Sequence, residues 1–107
     1  MFADTCPKQT ITLKAKTVAA ARQQIKGAKL MGLTVHLIEA CGTWIDQDND
    51  TWFCASGRIA NRVTNGSTLE MYQEGGPALY GRRVYKSRLC RIKPDDADAY
   101  IRLTFSE

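Results

Sequence analysis

Hydrophobic positions recur along this chain with two different periods. From about Thr17 to Met31 the period is helical: laid out at about 100° per residue, Val18, Ala21, Ile25 and Ala28 share one arc, and Arg22, Lys26 and Lys29 fall in a neighbouring stripe. The apolar arc is suited to packing, and the basic stripe is left for a partner. Thr17 stands where an N-cap belongs, and the alanine-rich first turns have high helix propensity and permit close approach to a sheet. Gly32 supplies a stop of the C′ type. Gly27, inside the helix, costs about 1 kcal/mol against alanine, which predicts close packing at that point.

Elsewhere the period is two. Gln9 to Ala15 sets Ile11, Leu13 and Ala15 against Thr10, Thr12 and Lys14, the pattern of a half-buried strand. Leu33 to Glu39 is apolar and β-branched enough for a central strand. Cys41-Gly42 is expected to turn the chain. Thr43 to Ile45 and Thr51 to Ala55 then flank the polar stretch Asp46 to Asp50 as a hairpin that brings Trp44 near Trp52. Asn65-Gly66 is the strongest turn signal, because a type I′ turn needs positive φ at both central residues. It predicts a second hairpin, Arg58 to Thr64 with Ser67 to Gln73, placing Ala60 opposite Met71 and Arg62 opposite Leu69. Glu74-Gly75-Gly76-Pro77 reads as a loop, Arg83 to Ile92 as a strand and Ala99 to Phe105 as the last strand, reached through Pro94-Asp95-Asp96. The expected architecture is α+β, in the order β-α-β-β-β-β-β, with one helix packed on a mainly antiparallel sheet of about five to seven strands.

A chain of 107 residues is expected to form a single domain, 1–107, with one core. Hydrophobic residues at 44% and charged residues at 24% are ordinary globular values, which argues against wholesale disorder. No apolar run approaches the roughly 20 residues that cross a bilayer, and the opening Met1-Phe2-Ala3-Asp4 lacks the pattern of a secretory signal. The expectation is a cytoplasmic protein with no membrane partner. The cysteines Cys6, Cys41, Cys54 and Cys90 are widely spaced, and His36 stands alone, so neither a metal site nor a cofactor is expected and the thiols read as reduced, small hydrophobes.

Asp46, Asp48 and Asp50 alternate as calcium ligands do. However, Thr51 sits where the sharp turn wants glycine and Gly57 where the closing glutamate belongs, so an acidic hairpin tip is the better reading. His36 and Glu39 lack a nucleophile in a recognisable setting, and no Gly-rich phosphate loop is present. The chain carries no enzyme signature.

Charge adds the main functional cue. The formal net charge is +4, and it is segregated: Arg82, Arg83, Lys86, Arg88, Arg91 and Lys93 crowd one late segment without an acid, while Lys14 and Lys16 lead into the helix stripe. Acids gather at Asp46, Asp48 and Asp50 and again at Asp95, Asp96 and Asp98. Tyr80 and Tyr85 interleave with the late arginines, a composition that suits nucleic acid. The same residue types serve as anchors at protein interfaces. The candidate partner-binding residues are Arg22, Lys26, Lys29, Arg82, Arg83, Lys86, Arg88 and Arg91.

The run from Ile11 to Phe53 resembles a compact β-α-β-β class of anti-CRISPR proteins that bind type I Cascade. The residues that carry the likeness are Ile11-Thr-Leu, the helix opened by Thr17 with Ala21-Arg22, then Leu33-Thr-Val35-His-Leu-Ile38-Glu39 and Gly42-Thr-Trp44. It covers under half of the chain, and nothing after Gly57 belongs to it. The resemblance implies a non-enzymatic phage or mobile-element protein that docks on a Cas backbone subunit, with Arg22, Lys26 and Lys29 as the part carried over. The Arg82 to Lys93 group is a separate inference from charge alone. Two functional expectations follow: an inhibitor that binds a host nucleoprotein complex, or a protein that binds DNA or RNA directly through the Arg82 to Lys93 strand.

Overall fold

A computed structural model describes residues 10–79 and 82–107, with backbone alone for 53–56, 73–79 and 82–86. The architecture is α+β. Strand β1 (Thr10–Ala15) leads into helix α1 (Val18–Leu30), followed by β2 (Thr34–Ile45), β3 (Thr51–Val63), β4 (Leu69–Leu79), β5 (Arg82–Ile92) and β6 (Tyr100–Ser106). The strands form one sheet in the order β1-β6-β2-β3-β4-β5, and β5 returns to pair with β2. Every pairing is antiparallel.

The helix forms as its sequence predicts. Thr17 Oγ1 accepts a hydrogen bond from the Ala20 N–H at 3.0 Å, satisfying one of the orphan donors of the first turn. At the other end Gly32, at φ +83°, lets its own N–H reach the Lys29 carbonyl and the Leu33 N–H reach that of Ala28, a Schellman motif closed by the buried Leu33. Val18, Ala21 and Ala28 are buried and Ile25 is partly so, in one cluster with Ile38, Ala40, Ile101, Leu103 and Phe105. Gly27 is a different matter: a Cβ there would meet nothing within 4 Å, so the expected close packing is absent and the glycine faces open space.

Strand β2 is the junction of the sheet. Its first part pairs with β6 as far as Cys41↔Tyr100, after which Trp44↔Ile92 and Ile45↔Arg91 hand the same edge to β5. Thr43 sits at the change of partner. Its N–H donates to Asp96 Oδ2 at 2.7 Å and its carbonyl accepts from the Lys93 N–H at 3.0 Å, so the β5–β6 connection satisfies the backbone that neither strand reaches. The bond from Thr43, and after it one from the Asp98 N–H at 2.9 Å, hold the Asp96 carboxyl below the usual aspartate value.

Four local expectations are corrected here. Cys41-Gly42 is no turn: β2 runs straight through it, and Gly42, at φ +93°, marks a bulge where the β2–β3 register shifts. Asn65-Gly66 forms no type I′ turn, since neither residue has positive φ; the Thr64 N–H instead donates to the Thr68 carbonyl across a wider loop. Ala60 does lie opposite Met71, but a register shift before Arg62 pairs that arginine with Glu70 and moves Leu69 to Val63. Glu74 to Pro77 belongs to β4 rather than to a loop, with a register shift against β5 between Gly75 and Leu79.

The two bulge and helix glycines give opposite expectations. A Cβ at Gly42 would lie 2.6 Å from Ala99 Cα, on left-handed backbone, so Gly42→Ala should lower unfolding free energy by about 2–4 kcal/mol. Gly27→Ala should raise it by about 0.5–1 kcal/mol through helix propensity. Urea unfolding of the two variants beside the parent checks both signs.

Candidate docking groove beside the helix

The basic stripe read from the sequence lines a groove. Ala19, Ile25 and Val63 form its apolar wall and Arg22, Lys26 and Lys29 its basic rim, around a volume of about 540 Å³. Two elements build it: α1 supplies all the charge, and the end of β3 supplies Val63. The volume is in the range of ligand and peptide sites. Lys26 and Lys29 are exposed. Leu30, 87% exposed and four residues beyond Lys26, extends the apolar surface at that end of the helix.

Arg22 differs from its neighbours. Its Nη1 donates to the Thr64 carbonyl at 2.9 Å and to that of Gly66, so this guanidinium ties the helix to the β3–β4 loop. It shapes one end of the groove, and its charge is already directed at two carbonyls of its own chain.

The late basic group is divided. For Arg82, Arg83 and Lys86 only the backbone is described, as is that of Tyr85; Tyr80 lies outside the described residues. Arg88 Nη1 donates to Asp48 Oδ2 at 2.7 Å. Arg91 is exposed and borders, with Thr17, Ser67 and Ile92, a recess at the N-terminal end of α1. The fold thus brings Arg91 beside the helix and separates it from Arg88, which faces the acidic hairpin.

That hairpin is organised by one buried carboxylate. Asp46 Oδ1 accepts from the N–H groups of Asp48 and Asp50 at 2.9 and 3.0 Å, and Oδ2 accepts from Trp52 Nε1 at 3.0 Å. The indole bond first, and the backbone bonds after it, hold the Asp46 carboxyl below the usual aspartate value against the effect of burial. Trp52 pairs with Trp44 across β2–β3, as expected, and Trp44 Nε1 donates to the Cys41 carbonyl at 3.1 Å. Both rings are buried, which removes them as stacking platforms. Asp46, Asp48 and Asp50 place carboxylate oxygens within 4.8 Å of one another. Asp46 is nevertheless filled by N–H donors and Asp48 is paired with Arg88, so these acids serve the hairpin and its contact with β5.

Sequence reasoning missed a second ion pair. Arg102 donates from Nε to Glu39 Oε1 at 2.8 Å and from Nη2 to Oε2 at 2.9 Å, a bidentate pair that lowers the Glu39 pKa. Gly57 makes room for it, since a Cβ there would lie 2.8 Å from Arg102 Nη2 and 2.9 Å from Glu39 Oε2. Cys41 and Cys90 are buried, the Cys90 thiol donates to the Arg88 carbonyl at 3.9 Å, and contact with the Cys41 thiol raises the Tyr100 pKa. His36 is exposed at a bulge of β2, apart from these groups. No signal short of strand register would have joined Glu39 to a residue 63 positions later.

No family model, curated protein or solved structure matches this chain. No helix among the described residues is long and apolar enough to cross a membrane.

Two measurements separate structural from available charge. Arg22→Ala should cost about 1–2 kcal/mol in urea unfolding, whereas Lys26→Ala should stay within about 0.5 kcal/mol of the parent. For Asp46 the depressed pKa means that its stabilisation is present above the unfolded-state value, about 3.9, and is lost as pH falls through the folded one. Stability should therefore drop below about pH 4, and Asp46→Asn should flatten that drop.

Proposed function

We propose that this is a non-enzymatic interaction protein that docks on a host nucleoprotein complex through the α1 groove and blocks its action in the cytoplasm, in the manner of the anti-CRISPR proteins its first half resembles. The observation that carries the reading is the groove itself: exposed Lys26 and Lys29 beside an apolar wall of Ala19, Ile25 and Val63. An apolar floor with a cationic rim suits an acidic protein surface that also offers hydrophobic side chains.

Direct binding of DNA or RNA through Arg82 to Lys93 has less support. Among the described side chains of that segment, Arg88 is paired with Asp48 and Lys93 Nζ lies 3.6 Å from Asp95. Exposed acids beside the strand oppose a polyanion, and the two tryptophans are buried.

Affinity capture tests the reading. The tagged chain, incubated with lysate from a bacterium carrying a type I CRISPR system, should retain its Cas complex at moderate salt. Lys26→Glu combined with Lys29→Glu should reduce retention by roughly tenfold or more while leaving the melting temperature unchanged. Equal retention by the double variant, or retention of naked nucleic acid alone, would overturn the proposal.

A further inference from the structure

Strands β2 and β3 are neighbours over only part of their length. Their ladder runs from Ile45↔Thr51 to Ile38↔Ala60 and stops there. Beyond that point β2 follows β6 back to Thr34, and β3 follows β4 on to Val63. The two arms part, and each keeps a partner on its far side only. Thr34 to Leu37 and Asn61 to Val63 therefore turn strand edges toward a fork, with no ladder partner between them among the described residues.

Both arms bulge at the point of separation. The β2–β6 register shifts between Val35 and Leu37, and the β3–β4 register shifts between Ala60 and Arg62. Bulges sharpen local twist and bend the strand that carries them, which is a physical reason for the arms to diverge. A recess of about 260 Å³ opens at the fork, bordered by His36, Leu37, Ile59 and Asn61 among others. The larger groove beside α1 is walled on its sheet side by Val63, the tip of the β3 arm, and carries Lys26 and Lys29 on its rim.

We propose that the fork between β2 and β3 receives an extended acidic segment of a partner protein as an added strand, hydrogen-bonded along Thr34 to Leu37, with its carboxylates held by Lys26 and Lys29. This rests on the docking reading above and specifies its mode. A strand edge alternates N–H donors with carbonyl acceptors, and a peptide backbone supplies the complement to both; phosphates accept but cannot donate, and the carbonyls would repel them. Charge complementarity selects acid, because Lys26 and Lys29 are exposed on the rim of the groove that Val63 of the β3 arm walls, whereas Arg62 on that arm is paired with Glu70. Four edge residues at about 3.3 Å each span about 13 Å, the length of a short linear segment.

The test uses the full chain as bait for a display library of random dodecapeptides. Selected sequences should be acidic with alternating apolar residues. A synthetic representative should lose roughly tenfold in affinity when alternate backbone amides are N-methylated, and also when it meets Lys26→Glu/Lys29→Glu. Its binding should slow amide hydrogen exchange at Thr34 to Leu37. Failure to enrich acidic peptides overturns the proposal. So does binding that is indifferent to N-methylation and leaves exchange at Thr34 to Leu37 unchanged. In that case the strand mode falls, while the role of Lys26 and Lys29 is still decided independently by retention of the Cas complex.

Discussion

Everything in this molecule is arranged around the hydrogen-bonding edges of β2. One twelve-residue strand pairs with β6, then β5, on one edge and with β3 on the other. A buried backbone group without a partner is costly, so each change of neighbour along β2 must be covered by something else. Thr43 meets that demand through Asp96 and Lys93, and Gly42 lets the chain pass Ala99 at a distance no side chain would allow. The fork at Ile38 and Ala60 is the one described stretch of β2 where the demand is left to the surroundings. A central strand that is paired on both edges elsewhere and stops pairing on one of them at this fork invites a functional reading of the gap.

The tryptophan hairpin shows the same economy of polar groups. Burying two indoles requires two acceptors, and these come from the Cys41 carbonyl at the bulge and from Asp46 at the loop. Asp46 then orders the loop through two backbone bonds, and the loop presents Asp48 to Arg88 on β5. A single carboxylate thus links ring burial, loop shape and the approach of a strand that begins more than thirty residues later. Charges that looked available in a linear reading are engaged here because the fold brings acid and base clusters together.

What could be read from residue order was what depends on near neighbours. The helix, its threonine cap, its glycine stop and its apolar arc follow from spacing within a few turns, and the structure has them in place. The Trp44–Trp52 pair follows from a short hairpin. The misreadings share one cause: a glycine marks unusual backbone, and whether that backbone is a turn or a bulge is decided by the strands on either side. Cys41-Gly42 and Gly75-Gly76 are bulged stretches because β2 and β4 have partners that continue past them. The groove was half legible. Its lysines stand in the helix stripe, but Val63 joins them only through the crossing of α1 over β3, and Arg22 is diverted by a loop forty-two residues away. Glu39–Arg102 and the fork were beyond reach, since both are statements about register between distant segments.

The placement of β6 bears on how the chain reaches this state. The last strand to be made lies between β1 and β2, pairing Thr10 with Ser106 and Val35 with Phe105. Until it emerges from the ribosome, β1 has no neighbour in the sheet and the apolar arc of α1 has no Ile101, Leu103 or Phe105 to cover. Assembly is then a late, collective event dominated by contacts between distant residues, the topology that folds slowly. A nascent chain of this kind stays open to proteases and chaperones until the strand that joins β1 to β2 arrives, and becomes resistant then.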